Sequence, residues 1–159
     1  MECFECGAEM TVSVERVPYT AGGLPNVVLE GIEVSRCPAC GTTETAIPNM
    51  AGLHRSLART IAEKPEPLTG DEVRFLRKYR DLSGVELAHE MGVTPETVSR
   101  WEHGTLRMGP TAERLLRMMA LYDATPPAYP ATGEEAPEPV ELTMRPSRRG
   151  WAVSARKAA

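Results

Sequence analysis

The stretch GVELAHEMGVTPETVSRWEHG, residues 84–104, decides how the second half of this chain folds. Two short segments of helical character flank a single glycine. Ala88 is small enough for a second helix to approach closely, and Gly92 can take the left-handed turn between the two. Leu87, Val93, Val98 and Trp101 fall where an angled helix pair needs inward side chains. Thr94-Pro95 supplies an N-cap hydroxyl and a proline at the first helical position, so the second helix begins there. The spacing predicts a helix-turn-helix whose second member, Thr94 to His103, would lie in the major groove of DNA. A small helical bundle that binds only protein is the competing reading.

Start and stop signals continue on both sides of this pair. Thr69-Gly-Asp-Glu72 and Ser83-Gly-Val-Glu86 fit the capping box, and Gly109-Pro110 or Thr111 can open a last helix. Gly92 and Gly104 stand where helices end. Four helices are expected near 70–80, 84–91, 95–103 and 110–122, with apolar spacing at Val73, Leu76 and Tyr79 and at Leu115, Met118, Met119 and Tyr122. On the outward face of the reading helix, Arg100 suits a forked contact with guanine, Glu96 can accept from cytosine, and Thr97 can touch a thymine methyl. Ser99 and the free amides from Thr94 to Thr97 suit phosphate instead, as does Arg107 in the loop beyond. His103 shares that face, whereas Trp101 belongs to the core.

Upstream, Cys3-Phe-Glu-Cys6-Gly and Cys37-Pro-Ala-Cys40-Gly repeat one pattern. Thiolates two residues apart bend around one ion, and four of them complete the tetrahedral shell of Zn²⁺. Two disulfides, a metal-free redox pair or iron are the alternatives. One structural zinc per chain is the favoured reading, with Glu2, Glu5 and Glu9 solvated beside it. Between the pairs, TVSVERVPYT (11–20) and NVVLEGIEVSR (26–36) flank a Gly-Gly-Leu-Pro turn and read as a β-hairpin. Met50, Leu53, Leu57 and Ile61 then mark a helix over 49–63, which KPEP ends.

These elements predict an α+β chain: a Cys₄ zinc-binding hairpin domain with one helix over 1–64, a linker at 65–68, and an all-α helix-turn-helix domain over 69–123. Residues 124–159 are rich in Pro, Ala, Glu and Arg and are expected to form a disordered tail, whose basic end either serves as a nucleic-acid arm or keeps the chain soluble. The formal net charge is -4, with nine acids and five bases in 1–68 and eight of each in 69–122. A near-neutral reading domain implies modest non-specific affinity. No run is apolar enough to span a membrane and the first residues lack a secretory pattern, so a cytoplasmic chain with no membrane partner is expected. Enzymatic function is not expected, since His54, His89 and His103 lie on predicted helices without a nucleophile or open metal site.

The two motifs together, with VPYT and VVLEGIEVSRCPAC between them and VSRWEHG behind, resemble the MqsA family of antitoxins, a YgiT-type zinc domain fused to an Xre/Cro-like helix-turn-helix. The likeness covers residues 1 to about 122. It implies zinc held by Cys3, Cys6, Cys37 and Cys40, a homodimer formed through the C-terminal domain, repression at a double-stranded DNA operator, and neutralisation of a ribonuclease toxin by the zinc domain. A stand-alone regulator without a toxin is the alternative. The family reads bases with an Asn and an Arg in the recognition helix; Arg100 matches the Arg, but Glu96 stands at the Asn position. A carboxylate there would read a different base. The Pro-rich tail has no counterpart in the shorter family members.

Overall fold

Val and Ile alternating with polar residues produce two long antiparallel strands, β1 (Thr11–Pro18) and β2 (Val28–Arg36), in a computed structural model that describes residues 1–122, 140–147 and 150–157. Arg36 crosses from β2 to the Glu15 carboxylate and holds it down to about 2, with the Ser13 hydroxyl assisting. A third strand, β3 (Thr43–Ala46), pairs with the other edge of β2, giving the order β1-β2-β3. The sequence predicts two strands here, because TETA is too short and too polar to announce a third. The knuckles lie at one end of this sheet and the β1–β2 loop at the other, separated by an eight-residue strand of about 25 Å.

That loop joins the sheet to the helices. Leu24, 2% exposed, sits in one core cluster with Ala58, Ile61, Val73, Leu76, Leu87, Trp101 and Leu116. Tyr19 is buried, its hydroxyl 2.6 Å from His54 Nε2, and His54 meets the Phe75 ring edge-on at 6.0 Å. Gly22 fits between them because a Cβ there would lie 3.1 Å from Tyr19 and 3.4 Å from Phe75.

Five helices follow: α1 (Met50–Glu63), α2 (Gly70–Tyr79), α3 (Gly84–Met91), α4 (Pro95–Glu102) and α5 (Pro110–Tyr122). The capping boxes at Thr69/Glu72 and Ser83/Glu86 both form. In α5 the buried stripe is Leu116, Met119 and Ala120, which leaves Met118 and Tyr122 exposed although their spacing is apolar.

The expected boundary at 65–68 does not separate two cores. Helix α1 packs on α2 and α5, and its Ala58, Ile61 and Ala62 belong to the helical cluster. The intervening chain is tied down by α5. Arg117 donates to the carbonyls of Ala62 at 3.0 Å, Lys64 at 2.5 Å and Glu66 at 2.6 Å, and pairs with Glu113 at 2.6 Å. Glu113 in turn accepts the Leu68 amide at 3.2 Å, and Lys64 reaches Glu72 at 2.7 Å. KPEP ends a helix, as its prolines require, but a guanidinium satisfies the carbonyls it frees.

Residues 127–159 form a separate unit. There β4 (Val140–Ser147) and β5 (Gly150–Lys157) pair in unbroken register from Val140↔Lys157 to Ser147↔Gly150. Both strands fall within the stretch expected as a disordered tail, and period-two alternation (Leu142, Met144; Trp151, Val153) runs through them. The rest of that expectation falls on residues outside those described. Among the described residues, no helix is long and apolar enough to cross a membrane.

Candidate metal centre and nucleic-acid interface

The two cysteine knuckles fold alike. In the first, the Cys3 amide donates to Ala8 O at 2.8 Å and the Gly7 amide to Cys3 O at 2.8 Å; in the second, Cys37 donates to Thr42 O at 2.8 Å and Gly41 to Cys37 O at 3.0 Å. Gly7 and Gly41 take φ of 74° and 78°, a conformation that a side chain would strain. Each knuckle therefore presents one buried sulfur, Cys3 or Cys37, and one exposed sulfur, Cys6 or Cys40.

The four sulfurs lie within 4.8 Å of one another, the Cys3–Cys40 pair at 3.6 Å and the Cys6–Cys37 pair at 3.4 Å. They are free thiols, not disulfides. Metal–sulfur bonds of about 2.3 Å in a tetrahedron set its edges near 3.8 Å, so the cluster needs little movement to close around one ion. Thr42, through its hydroxyl and then its amide, pulls the Cys40 thiol down to about 6, with Cys37 and Cys6 assisting. The Ala8 amide pulls Cys6 the same way, but hydrogen bonds to Cys37, Cys40 and Cys3, together with desolvation, outweigh it and push Cys6 up to about 12. Crowded sulfurs thus share protons, since several thiolates cannot stand side by side without a cation. Among the described residues no carboxylate or imidazole joins the cluster, and Glu2, Glu5 and Glu9 are exposed. A bound dication would be fully enclosed by sulfur and leave no open position for a substrate. Little else holds this end together, because its own apolar cluster is Cys3, Met10 and Cys37 with Ala8 against them.

The helix pair is built as its sequence requires. Gly92 caps α3 with φ 64°, the Val93 amide returns to Ala88 O at 2.9 Å, and Thr94 caps α4 by accepting the Thr97 amide at 3.3 Å. Leu87, Ala88, Val98 and Trp101 are buried. Thr94, Glu96, Ser99, Arg100, His103 and Arg107 are all exposed, and Thr97 is half-buried with its hydroxyl 3.1 Å from that of Thr94. The structure thus gathers the expected residues on one open face and its following loop. The Arg100 carbonyl accepts the Thr105 amide at 3.0 Å and the Leu106 amide at 3.2 Å, fixing the turn that leads to Arg107. His103 Nδ1 lies 2.7 Å from Ser99 O, which leaves Nε2 to face outward. The Glu96 carboxyl is held below the usual range by its own backbone amide, then by the Thr94 hydroxyl and the Arg100 charge, so it is ionised at the helix N-terminus.

Two supports of α4 carry no signal in the 84–104 pattern. Glu102, at the last turn of α4, accepts from Arg77 at 2.5 and 3.1 Å and from Arg74 at 3.2 Å, while Arg77 also donates to Leu82 O at 2.8 Å. The only sequence hint is that Arg74 and Arg77 share a face of α2. Gly70 lets the start of α2 meet the end of α4: a Cβ there would lie 2.4 Å from Glu102 O and 2.9 Å from Trp101 O. Gly70→Ala should therefore force the two ends apart at a cost of about 1–3 kcal/mol. Urea unfolding checks this, and an unchanged midpoint would mean that the ends do not touch.

Residues 73–129 match the model of the Helix-turn-helix family HTH_3; the last seven of these positions lie outside the described residues. No curated protein matches the chain. The match runs from α2 through α5 and takes in both the exposed face of α4 and the Arg74–Arg77–Glu102 support. The chain thus carries a helix-turn-helix domain of the kind found in DNA-binding transcription regulators, with a four-cysteine cluster able to hold a metal ion ahead of it.

Proposed function

We propose that this protein is an antitoxin of a two-gene toxin–antitoxin system, a zinc-containing repressor that binds its operator through α4 and neutralises its toxin through the zinc sheet. The observation that carries the DNA-reading part is the open face of Thr94, Glu96, Ser99, Arg100 and His103 on a helix whose opposite side is locked in the core. Zinc is favoured over other ions because the donor set is four thiolates in a closed arrangement. The antitoxin part is supported by the order of the two motifs and by exposed apolar residues in the N-terminal sheet region: Phe4 and Val14 are 73% and 69% exposed, and β1, which bears Val14, is an edge strand. Met118 and Tyr122, exposed on α5, support a homodimer through the C-terminal domain.

Arg100→Ala should lose about 1–3 kcal/mol of operator binding and relax preference at one base pair, while Arg107→Ala should weaken all duplexes alike. Competition binding against randomised duplexes reads both. If both variants bind every duplex as the wild type does, α4 is not the reading helix. Co-expression with the adjacent gene product tests the toxin: a stable complex of defined mass supports the antitoxin, and its absence favours a stand-alone regulator.

A further inference from the structure

Charge is unevenly divided along this chain. Residues 69–122 carry eight acids and eight bases, residues 123–139 four acids and no base, and residues 140–157 one acid and five bases. The domain that reads DNA is therefore neutral, and the cationic charge is concentrated in the β4–β5 hairpin. A neutral reading domain is a poor match for a duplex bearing one charge per roughly 1.7 Å, because affinity for the backbone comes from neutralised phosphates.

Backbone register sorts the hairpin residues into two sets. Cross-strand partners share a face, so Glu141/Arg156, Thr143/Ser154, Arg145/Ala152 and Ser147/Gly150 fall on one side and Leu142/Ala155, Met144/Val153 and Pro146/Trp151 on the other. The first face combines two arginines and three hydroxyl residues, the types that contact phosphate, with one acid, Glu141, opposite Arg156. Ser154 on it is exposed and Thr143 is half-buried. Lys157, paired with Val140, belongs to the second side by register and adds a base at the end of β5. A two-stranded ribbon also has the width of the major groove.

We propose that the β4–β5 hairpin is a second DNA-binding element, an arm that takes duplex phosphates on the same DNA that α4 reads. This rests on the DNA-reading assignment of α4. The seventeen residues 123–139 bound the arm's reach at about 60 Å, nearly two turns of duplex. Tethering turns a weak phosphate contact into an effectively intramolecular one, so the arm raises affinity without adding base preference.

The test is the salt dependence of binding for the full chain and for the R145Q/R156Q/K157Q variant, each on the operator and on a random duplex. The slope of log affinity against log salt should become shallower by about 2 to 3 on both duplexes. From 50 to 200 mM salt the wild type then loses about thirty-fold more affinity than the variant. The operator-to-random ratio should not change. A charge-preserving R145K/R156K/K157R variant should keep the wild-type slope; if it falls with the glutamine set, hairpin folding and not charge is responsible, and the proposal is overturned. An unchanged slope in the glutamine variant also overturns it, and a reduced oligomer mass there would assign the hairpin to pairing between copies. Arg100→Ala separates the two readings, since it should alter the operator-to-random ratio at constant slope. If that ratio does not move while the glutamine set still flattens the slope, α4 is misassigned and the arm stands. Failure of the full chain to bind any duplex overturns both.

Discussion

Chelating the metal from the zinc-loaded protein should unfold the knuckle end of the sheet and leave the helical core and the β1–β2 loop in place. Without an ion, the knuckle end rests on Cys3, Met10, Cys37 and Ala8, too few groups to offset the ordering entropy of the chain around them. Zinc bound by four thiolates contributes on the order of 10 kcal/mol, so its loss exceeds what the local packing can bear. The other end of the same hairpin does not depend on it. Leu24 stays in the helical cluster, and Tyr19 stays against His54, because both contacts belong to α1 and α2. Hydrogen exchange resolved by segment should show protection lost at residues 3–8 and 37–42 and kept at Tyr19, Gly23 and throughout α2. Loss of protection across the whole of residues 1–47 would show that the sheet is an independent domain, as the sequence alone implies. Unchanged protection at the knuckles would show that no structural metal is held there.

Glu102→Ala should be the most destabilising single change in the support of the reading helix, at about 3–5 kcal/mol, with melting lowered on the order of 10–20 °C. The Glu102 side chain is 9% exposed and is the shared acceptor of Arg77, 14% exposed, and Arg74. Removing it strands two cations in a site shaped for their partner. Binding to all duplexes should weaken together, because α4 loses its tether to α2 and no base contact. The same network sets an acid limit. Burial raises the Glu102 pKa, but the Arg77 and Arg74 hydrogen bonds and charges outweigh it and hold the carboxyl below its ordinary value. A depressed carboxyl stabilises the fold fully above the unfolded value of about 4.3 and loses that contribution as pH falls through the folded value. Glu102→Gln keeps the shape and removes the charge, so its stability should fall less steeply with acid than the wild type's in that window. Identical acid profiles would mean that Glu102 does not carry this term.

Much of this structure is legible in short stretches. The knuckles, their glycines, the capping boxes at Thr69 and Ser83, the turn at Gly92 and the cap at Thr94 each depend on groups within about five residues, so local residue type is enough to specify them. The open face of α4 follows from the same locality, because helical spacing alone separates Val98 and Trp101 from Ser99, Arg100 and His103.

What escaped the sequence depends on groups far apart in the chain. Arg117 satisfies carbonyls at 62, 64 and 66, and nothing within KPEP hints that a cation fifty residues on will hold it. Gly70 looks like ordinary capping-box filler until α4 arrives against it. Leu24 sits in a turn and reads as exposed, yet it is what joins the sheet to the helices. Residue order alone specifies two knuckles of two cysteines each and a helix-turn-helix, since hydrogen-bonded turns and helix faces are set by near neighbours. That the sheet loop and the helices share one core, and that the Glu102 carboxylate holds α4 in place, comes from packing distances and desolvation among residues far apart in the chain.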